Sequence, residues 1–360
     1  MVRLAIYRPR WTGVAQRNLS VHYALLLRDA CFAEEAIAYF VKLWTYLHVH
    51  LNQSASTLLE TSFADLPSLE CRQIDLPSGS RLIDCGVTVT GSHEAGLRMA
   101  RVAMAGLGTV TLEPPNDSCE WAMVHVSSEH PVAACLASQY AGWKVTRGKY
   151  FAMGSGPMRA AIGREDLFDR IGMREQTDVA IGLLECSKLP TDEVCCDLAT
   201  AAGVVPSQLR LLVARTASEA GTLQVIARSL ETALHKLDTL HFDLSRVLRG
   251  SGSAPLAPVP NDDLVAIGRT NDSILYGGRV RLDVTGDDAS LLAVGPYVSS
   301  AASPDFGSLF LDLFQRAGGD FYKMDPAIFA PAVIEFLNCD TGTQHVFGQQ
   351  RDDVVRHSFL

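Results

Sequence analysis

Val179-Ala180-Ile181-Gly182-Leu183-Leu184 is apolar at every position, the pattern of a strand buried on both faces. Asp192 to Ala202 follows with helical character, Leu209 to Ala214 is a second buried strand, and Gly221 to Leu240 reads as the longest helix of the region. A doubly wound sheet would extend this alternation in both directions. Upstream, however, Arg81 to Val89 reads as a strand and Gly91 to Ala105 as a helix. Val110 to Leu112 and Trp121 to Val126 then read as two strands in succession, before a helix from His130 to Ala141. Downstream, Gly250 to Pro260 is rich in Gly, Ser and Pro and looks like a loop crossing between lobes. The run after Gly277-Gly278 alternates as a strand, Phe306 to Ala317 is helical and Ala332 to Leu337 is a strand. The order fits an α+β fold better than a Rossmann-type one.

At about 150 residues per domain, 360 residues suggest two domains. The expected division is a first α+β domain over 51–190 and a second over 191–360, with a chain that can cross between them. Hydrophobic residues at 48% and charged residues at 20% exclude a disordered or low-complexity protein. The net charge of −9 leaves no basic field to hold a nucleic-acid backbone. That charge is uneven. Residues 1–50 carry six basic and three acidic side chains, so +3 there leaves −12 for the rest, and eight of the 27 aromatic residues fall in the same segment. It reads as an N-terminal extension distinct from the remainder.

Nine cysteines, none in a C-x-x-C spacing, do not suggest a disulfide framework. Cys85, Cys119, Cys135 and Cys186 sit among apolar neighbours and read as buried hydrophobes. A zinc site from Cys119, His125 and His130 matches no closed zinc pattern. Residues 30–49 are apolar but include Glu34, Glu35 and Lys42, which suits an amphipathic helix rather than a bilayer span. No secretory signal is evident, and the expected location is the cytoplasm.

Four constellations carry polar chemistry. Gly154-Ser155-Gly156-Pro157 is a glycine-rich loop before a helix, where backbone N–H groups can meet an anion or simply turn the chain. Arg228 and Glu231 are three apart on the long helix and so share a face, in a setting otherwise apolar; a solvated surface pair is the plain alternative. Gly268-Arg269-Thr270-Asn271-Asp272-Ser273 reads equally as a binding loop or a capped turn. Tyr322-Lys323-Met324-Asp325-Pro326 is a loop whose proline fixes its path. No G-x-S-x-G, P-loop or H-E-x-x-H motif is present.

Taken together, Ile83-Asp84-Cys85-Gly86-Val87, Gly91-Ser92-His93-Glu94-Ala95-Gly96-Leu97, Tyr150-Phe151-Ala152-Met153 with the glycine-rich loop, and Gly268 to Asp272 resemble methenyltetrahydromethanopterin cyclohydrolases. Tyr276-Gly277-Gly278, Phe321 to Pro326 and Phe329-Ala330-Pro331-Ala332 extend the resemblance in the same order, from Leu51 to Leu360.

The resemblance implies a two-domain α+β subunit with a pterin cleft between the domains, a homotrimer, and neither metal nor redox cofactor. It implies reversible hydrolysis of 5,10-methenyltetrahydromethanopterin to the N5-formyl compound in one-carbon metabolism, here in formaldehyde oxidation. In the family an Arg-x-x-Glu on the long helix is the catalytic pair, which falls on Arg228 and Glu231. Glu231 would act as the base, with Arg228 orienting it. Gly154, Ser155, Gly156, Arg269, Asn271 and Asp272 would contact the pterin or its tail phosphate. Tyr140 stands where archaeal members carry a lysine, and Ser358 belongs to a Ser-Phe ending that also lines the site. A non-catalytic pterin-binding protein and a cyclohydrolase acting on a folate analogue are the alternatives.

Overall fold

The computed structural model describes residues 50–117, 120–140 and 142–360. The extension read over residues 1–50 lies outside the described residues except for His50, as do Cys119 and Ala141. Two mixed sheets of six strands each organise the described chain. The strands are β1 Arg72–Asp75, β2 Arg81–Asp84, β3 Gly108–Glu113, β4 Met123–Ser128, β5 Trp143–Arg147 and β6 Tyr150–Ser155. After them come β7 Ala180–Glu185, β8 Leu209–Ala214, β9 Val247–Pro255, β10 Arg279–Val284, β11 Val333–Asn338 and β12 Gln344–Gly348. The mixture of helices with parallel and antiparallel strands is that of an α+β protein.

The first sheet runs β1-β2-β8-β7-β6-β5. The two apolar runs become its central strands: β7 and β8 pair in parallel from Ala180↔Leu209 onward, and the helix Asp192–Ala202 makes the crossover that parallel pairing requires. Thr191 caps that helix through a bond from the Val194 N–H, and Gly203, at φ 73°, ends it. Leu184, Leu211 and Val213 of the sheet and Val194 and Leu198 of the helix share one core with Met158.

The second sheet runs β12-β11-β10-β9-β4-β3 and is antiparallel except between β10 and β11. Strands from residues 108–128 thus enter the second sheet, while β8, at residues 209–214, belongs to the first. The stretch read as a loop from Gly250 is instead mostly β9, an inner strand between β10 and β4. Its glycines are there for packing: a Cβ at Gly250 would lie 2.8 Å from Leu230 Cδ1, and one at Gly252 2.6 Å from Ser229 Oγ.

The long helix is also revised. It is two helices, Glu219–Ile226 and Ser229–Thr239, separated by Ala227 and Arg228. The first packs against the helix His93–Ala103, where Gly96 lets the backbones close to within a Cβ's 2.9 Å of the Ala220 carbonyl oxygen. The second packs on β4, β9 and β10 of the second sheet. A single straight helix would have to satisfy both surfaces along one axis; the break lets each half follow its own.

Candidate active site

A cavity of about 700 Å³ opens between elements of the two sheets. Tyr150, Phe151, Met153 and Glu185 line it from the first sheet, and Asp263, Ile267, Thr270 and Asn271 of the helix Asp263–Asp272 from the other side. The segment 321–329 contributes Phe321, Tyr322, Met324, Pro326 and Phe329. Phe151 and Tyr322 are large aromatic side chains left 52% and 67% exposed, so the lining suits a flat, partly apolar ligand.

Arg228, Glu231, Thr232, His235, Lys236 and Thr239 form a third wall. Their spacing of three and four residues is one face of the helix Ser229–Thr239, extended back to the break. Arg228 occupies the N-cap position, and its fork is held at both ends: Nη1 donates to the Gln139 carbonyl at 2.6 Å, Nη2 to Ser155 Oγ at 2.8 Å and to Gln224 Oε1 at 3.3 Å. From Nη1 to Glu231 Oε2 is 3.9 Å, a charge contact rather than a hydrogen bond. Both residues are under a tenth exposed, so the pair is buried and not the solvated surface pair that was the plain alternative. Burial lowers the Arg228 pKa, and Glu231 and then Glu185 oppose that fall. The carboxylate's field also reaches its neighbours. Burial first and Glu231 second push the Tyr140 hydroxyl up to about 12, and the same two causes raise the Cys135 thiol.

The other residues singled out in the sequence separate into three groups. Tyr140 and Asn271 are on the cavity wall beside Arg228 and Glu231. Tyr140 lies under the Arg159 guanidinium at 4.2 Å and 5.2 Å from the His235 ring, while Asn271 Nδ2 donates to the Ile267 carbonyl at 2.8 Å. Gly154 and Ser155 end β6, and Gly156 follows directly in a bend rather than in an open loop. Gly154 faces Trp143, Ser155 receives Arg228, and Gly156, at φ +91°, turns the chain against Gly182 and Leu183.

Arg269, Asp272 and Ser358 meet one another away from the cavity lining. Arg269 Nε donates to the Ser358 carbonyl at 3.0 Å and its Nη1 to the Pro258 carbonyl at 3.1 Å. Asp272 accepts from Ser358 Oγ at 2.7 Å and from the Phe310 N–H at 2.9 Å. The stretch 268–272 is therefore helix, not a loop, and it anchors the C-terminal helix Asp352–Phe359. Burial pushes the Asp272 carboxyl up to about 7 despite those two donors.

The sequence reading did not single out Glu185, Thr216, His235 or Lys236. His235 and Lys236 lie four residues beyond Glu231 and Thr232 on the same helix face, and that polar stripe was the available signal. Burial lowers the pKa of both, and Lys236 Nζ donates to the Pro326 carbonyl at 3.1 Å. Glu185 is a single acid ending an apolar strand, and its carboxylate accepts a hydrogen bond from the Thr216 hydroxyl.

The family model described as "Cyclohydrolase (MCH)" matches residues 50–359. The chain belongs to this cyclohydrolase family. It is 39% identical over 319 residues to the methenyltetrahydromethanopterin cyclohydrolase of Methylobacillus flagellatus, covering 88% of this chain and 98% of that one. The protein of the same name from Methylobacterium organophilum is 41% identical over 314 residues, 86% and 97% of the two chains. That of Methanococcus maripaludis is 39% identical over 316 residues, again 86% and 97%. The cyclohydrolase match takes in the whole cavity and both sheets and leaves residues 1–49 outside.

Proposed function

We propose that the chain catalyses the reversible hydrolysis of 5,10-methenyltetrahydromethanopterin to N5-formyltetrahydromethanopterin in one-carbon metabolism, with formaldehyde oxidation as its setting. The observation that carries this reading is the buried Arg228–Glu231 pair on the wall of a cavity large enough for a pterin. The substrate's amidinium carbon is cationic and already electrophilic, so the reaction needs a placed water, a base and a path for protons. Glu231 removes one proton from water as its oxygen adds to that carbon. The protonated Glu231 then returns this proton to N10 as the C–N10 bond breaks. The new hydroxyl loses its own proton as the formyl C=O forms, and one proton leaves per turnover. Arg228 holds Glu231 ionised beforehand and orients it.

Tyr140 and Asn271 are assigned to the substrate, and Ser155 acts through the Arg228 fork. The cavity is read as the pterin cleft between two domains, each built round one sheet. Glu231, not a metal or redox cofactor, is assigned the activation of water, so exhaustive chelation should leave the rate unchanged. The working state is taken as a cytoplasmic homotrimer, which light scattering of the purified protein tests. No helix among the described residues is long and apolar enough to cross a membrane.

Loss of methenyl absorbance, measured side by side with methenyltetrahydromethanopterin and methenyltetrahydrofolate, is the direct test. Turnover of the first alone is expected; turnover of the folate alone would reassign the substrate, and tight binding without loss would make the chain a pterin-binding protein. Glu231→Gln should lower kcat by about 10²- to 10⁴-fold with the fold retained. Near-normal turnover by that variant would remove Glu231 from the mechanism.

A further inference from the structure

One half-buried acid on the cavity wall has no part in the steps above. Glu185 ends β7, where the register sets Met153 opposite Glu185 and Ser155 opposite Leu183. Residues two apart on a strand face the same way, so Glu185 and Ser155 project from one face of the first sheet. That is the face that receives Arg228 Nη2. Glu185, Ser155, Gln224 and Arg228 also enclose a void of about 20 Å³ adjoining the main cavity, which Glu185 and Arg228 line as well. One guanidinium therefore lies among two carboxylates, one from the helix and one from the sheet.

We propose that Glu185 is a positioning residue for the catalytic pair: it shares the Arg228 cation with Glu231, so that Glu231 remains basic enough to accept a proton near neutral pH. This rests on the cyclohydrolase reading above. Two effects act in the same direction. Without Glu185, the whole field of Arg228 would fall on Glu231 and favour its ionised form, and the repulsion between the two carboxylates would be lost as well. A third consequence concerns binding. Two carboxylates and one guanidinium leave a net charge of −1, which a cationic amidinium neutralises.

The groups around the pair are consistent with this division. Glu231 faces Arg228, Cys135 and Tyr140 and shares its helix face with His235 and Lys236. Glu185 faces Thr216, Arg228, Cys186 and Asp263. Burial raises the Glu185 carboxyl, and the Thr216 hydroxyl and Arg228 pull it back toward the ionised state.

The test is the pH dependence of methenyl hydrolysis by the full chain from pH 5 to 9, for wild type, Glu185→Gln, Glu185→Asp and Thr216→Val. In Glu185→Gln the acidic limb of kcat/KM should move down by about one pH unit, with KM for the cation several-fold higher and kcat about ten-fold lower. Glu185→Asp, which keeps the charge, should bring the limb back toward wild type. Thr216→Val removes only a hydrogen bond and should move the limb far less than Glu185→Gln does. If Glu185→Gln fails to fold, the Asp variant decides: an acidic limb and KM like wild type support the charge-sharing role, and a limb displaced as far as one pH unit overturns it. An unmoved limb in Glu185→Gln, with only a lower melting temperature, would make Glu185 structural. A folded wild type inert toward the methenyl pterin would instead overturn the cyclohydrolase reading itself.

Discussion

Asp272 offers a measurement that does not depend on substrate. Its carboxyl is buried between the helix Asp263–Asp272 and the C-terminal helix, accepting from Ser358 Oγ and the Phe310 N–H, and it sits at about 7 instead of its ordinary 3.8. The folded protein therefore holds that proton more tightly than the unfolded chain. The associated stability is fully present below pH 3.8 and is lost as pH rises to about 7. At 1.36 kcal/mol per pH unit the whole loss is about 4 kcal/mol, of which about 3 kcal/mol falls above pH 5. For about 300 ordered residues the unfolding entropy is about 0.6 kcal/mol/K, so that part corresponds to about 5 °C.

Asp272→Asn keeps an acceptor for Phe310 and can pair its amide with the Ser358 hydroxyl, which rotates to accept. Thermal melts of both proteins between pH 5 and 8 should therefore show the Asn variant gaining about 5 °C on the wild type as pH rises. Ser358→Ala removes a donor to the ionised form and should steepen the wild-type decline. Two parallel curves would mean that Asp272 ionises normally in the fold, and the reasoning from its burial would fail.

Two further outcomes follow from the same geometry. Arg228→Lys cannot reach the Gln139 carbonyl and Ser155 Oγ at once; losing one charge-assisted bond should lower kcat by about 10- to 100-fold with an unchanged circular dichroism spectrum, and an unaltered kcat would show the fork to be dispensable. Gly154→Ala would bring a Cβ to 2.6 Å from Trp143 Cε3, so a loss of about 1–3 kcal/mol in denaturant unfolding is expected, together with reduced activity as Ser155 shifts; an unchanged midpoint would mean that the indole moves aside freely.

The parts of the fold that were legible in the sequence are those where burial alone chose the residues. β7 is apolar up to Glu185, and β8 apart from Arg210, because both their faces are covered, and Arg279 to Val284 alternates because one face of its sheet is wet. Glycine misled the reading twice, at 151–157 and 250–260. There it marks close packing inside strands, against Trp143 in one and against Leu230 and Ser229 in the other, and packing of that kind involves residues distant in sequence. The break before Ser229 carries neither Gly nor Pro, so nothing local announced it. Within the site, the Arg-x-x-Glu spacing could be read off one helix, whereas Glu185 joins it only through the pairing of β6 with β7.

The interruption between Ile226 and Ser229 also bears on how a buried ion pair is tolerated. Helix ends carry partial charge, positive at the N-terminus and negative at the C-terminus. Arg228 follows the C-terminal end of one helix, and Glu231 stands in the first turn of the next. Glu231 thus meets a backbone end of opposite sign, worth about 0.3–1 kcal/mol at a surface and up to about 2 kcal/mol when partly buried, while Arg228, the N-cap of the same helix, lies between that end and the carbonyl end of the preceding helix. In an unbroken helix both would sit mid-span, with every nearby peptide group already engaged and no terminus to face. The chain has in effect inserted a seam of fixed dipoles beneath the reacting charges, already oriented before any ligand arrives.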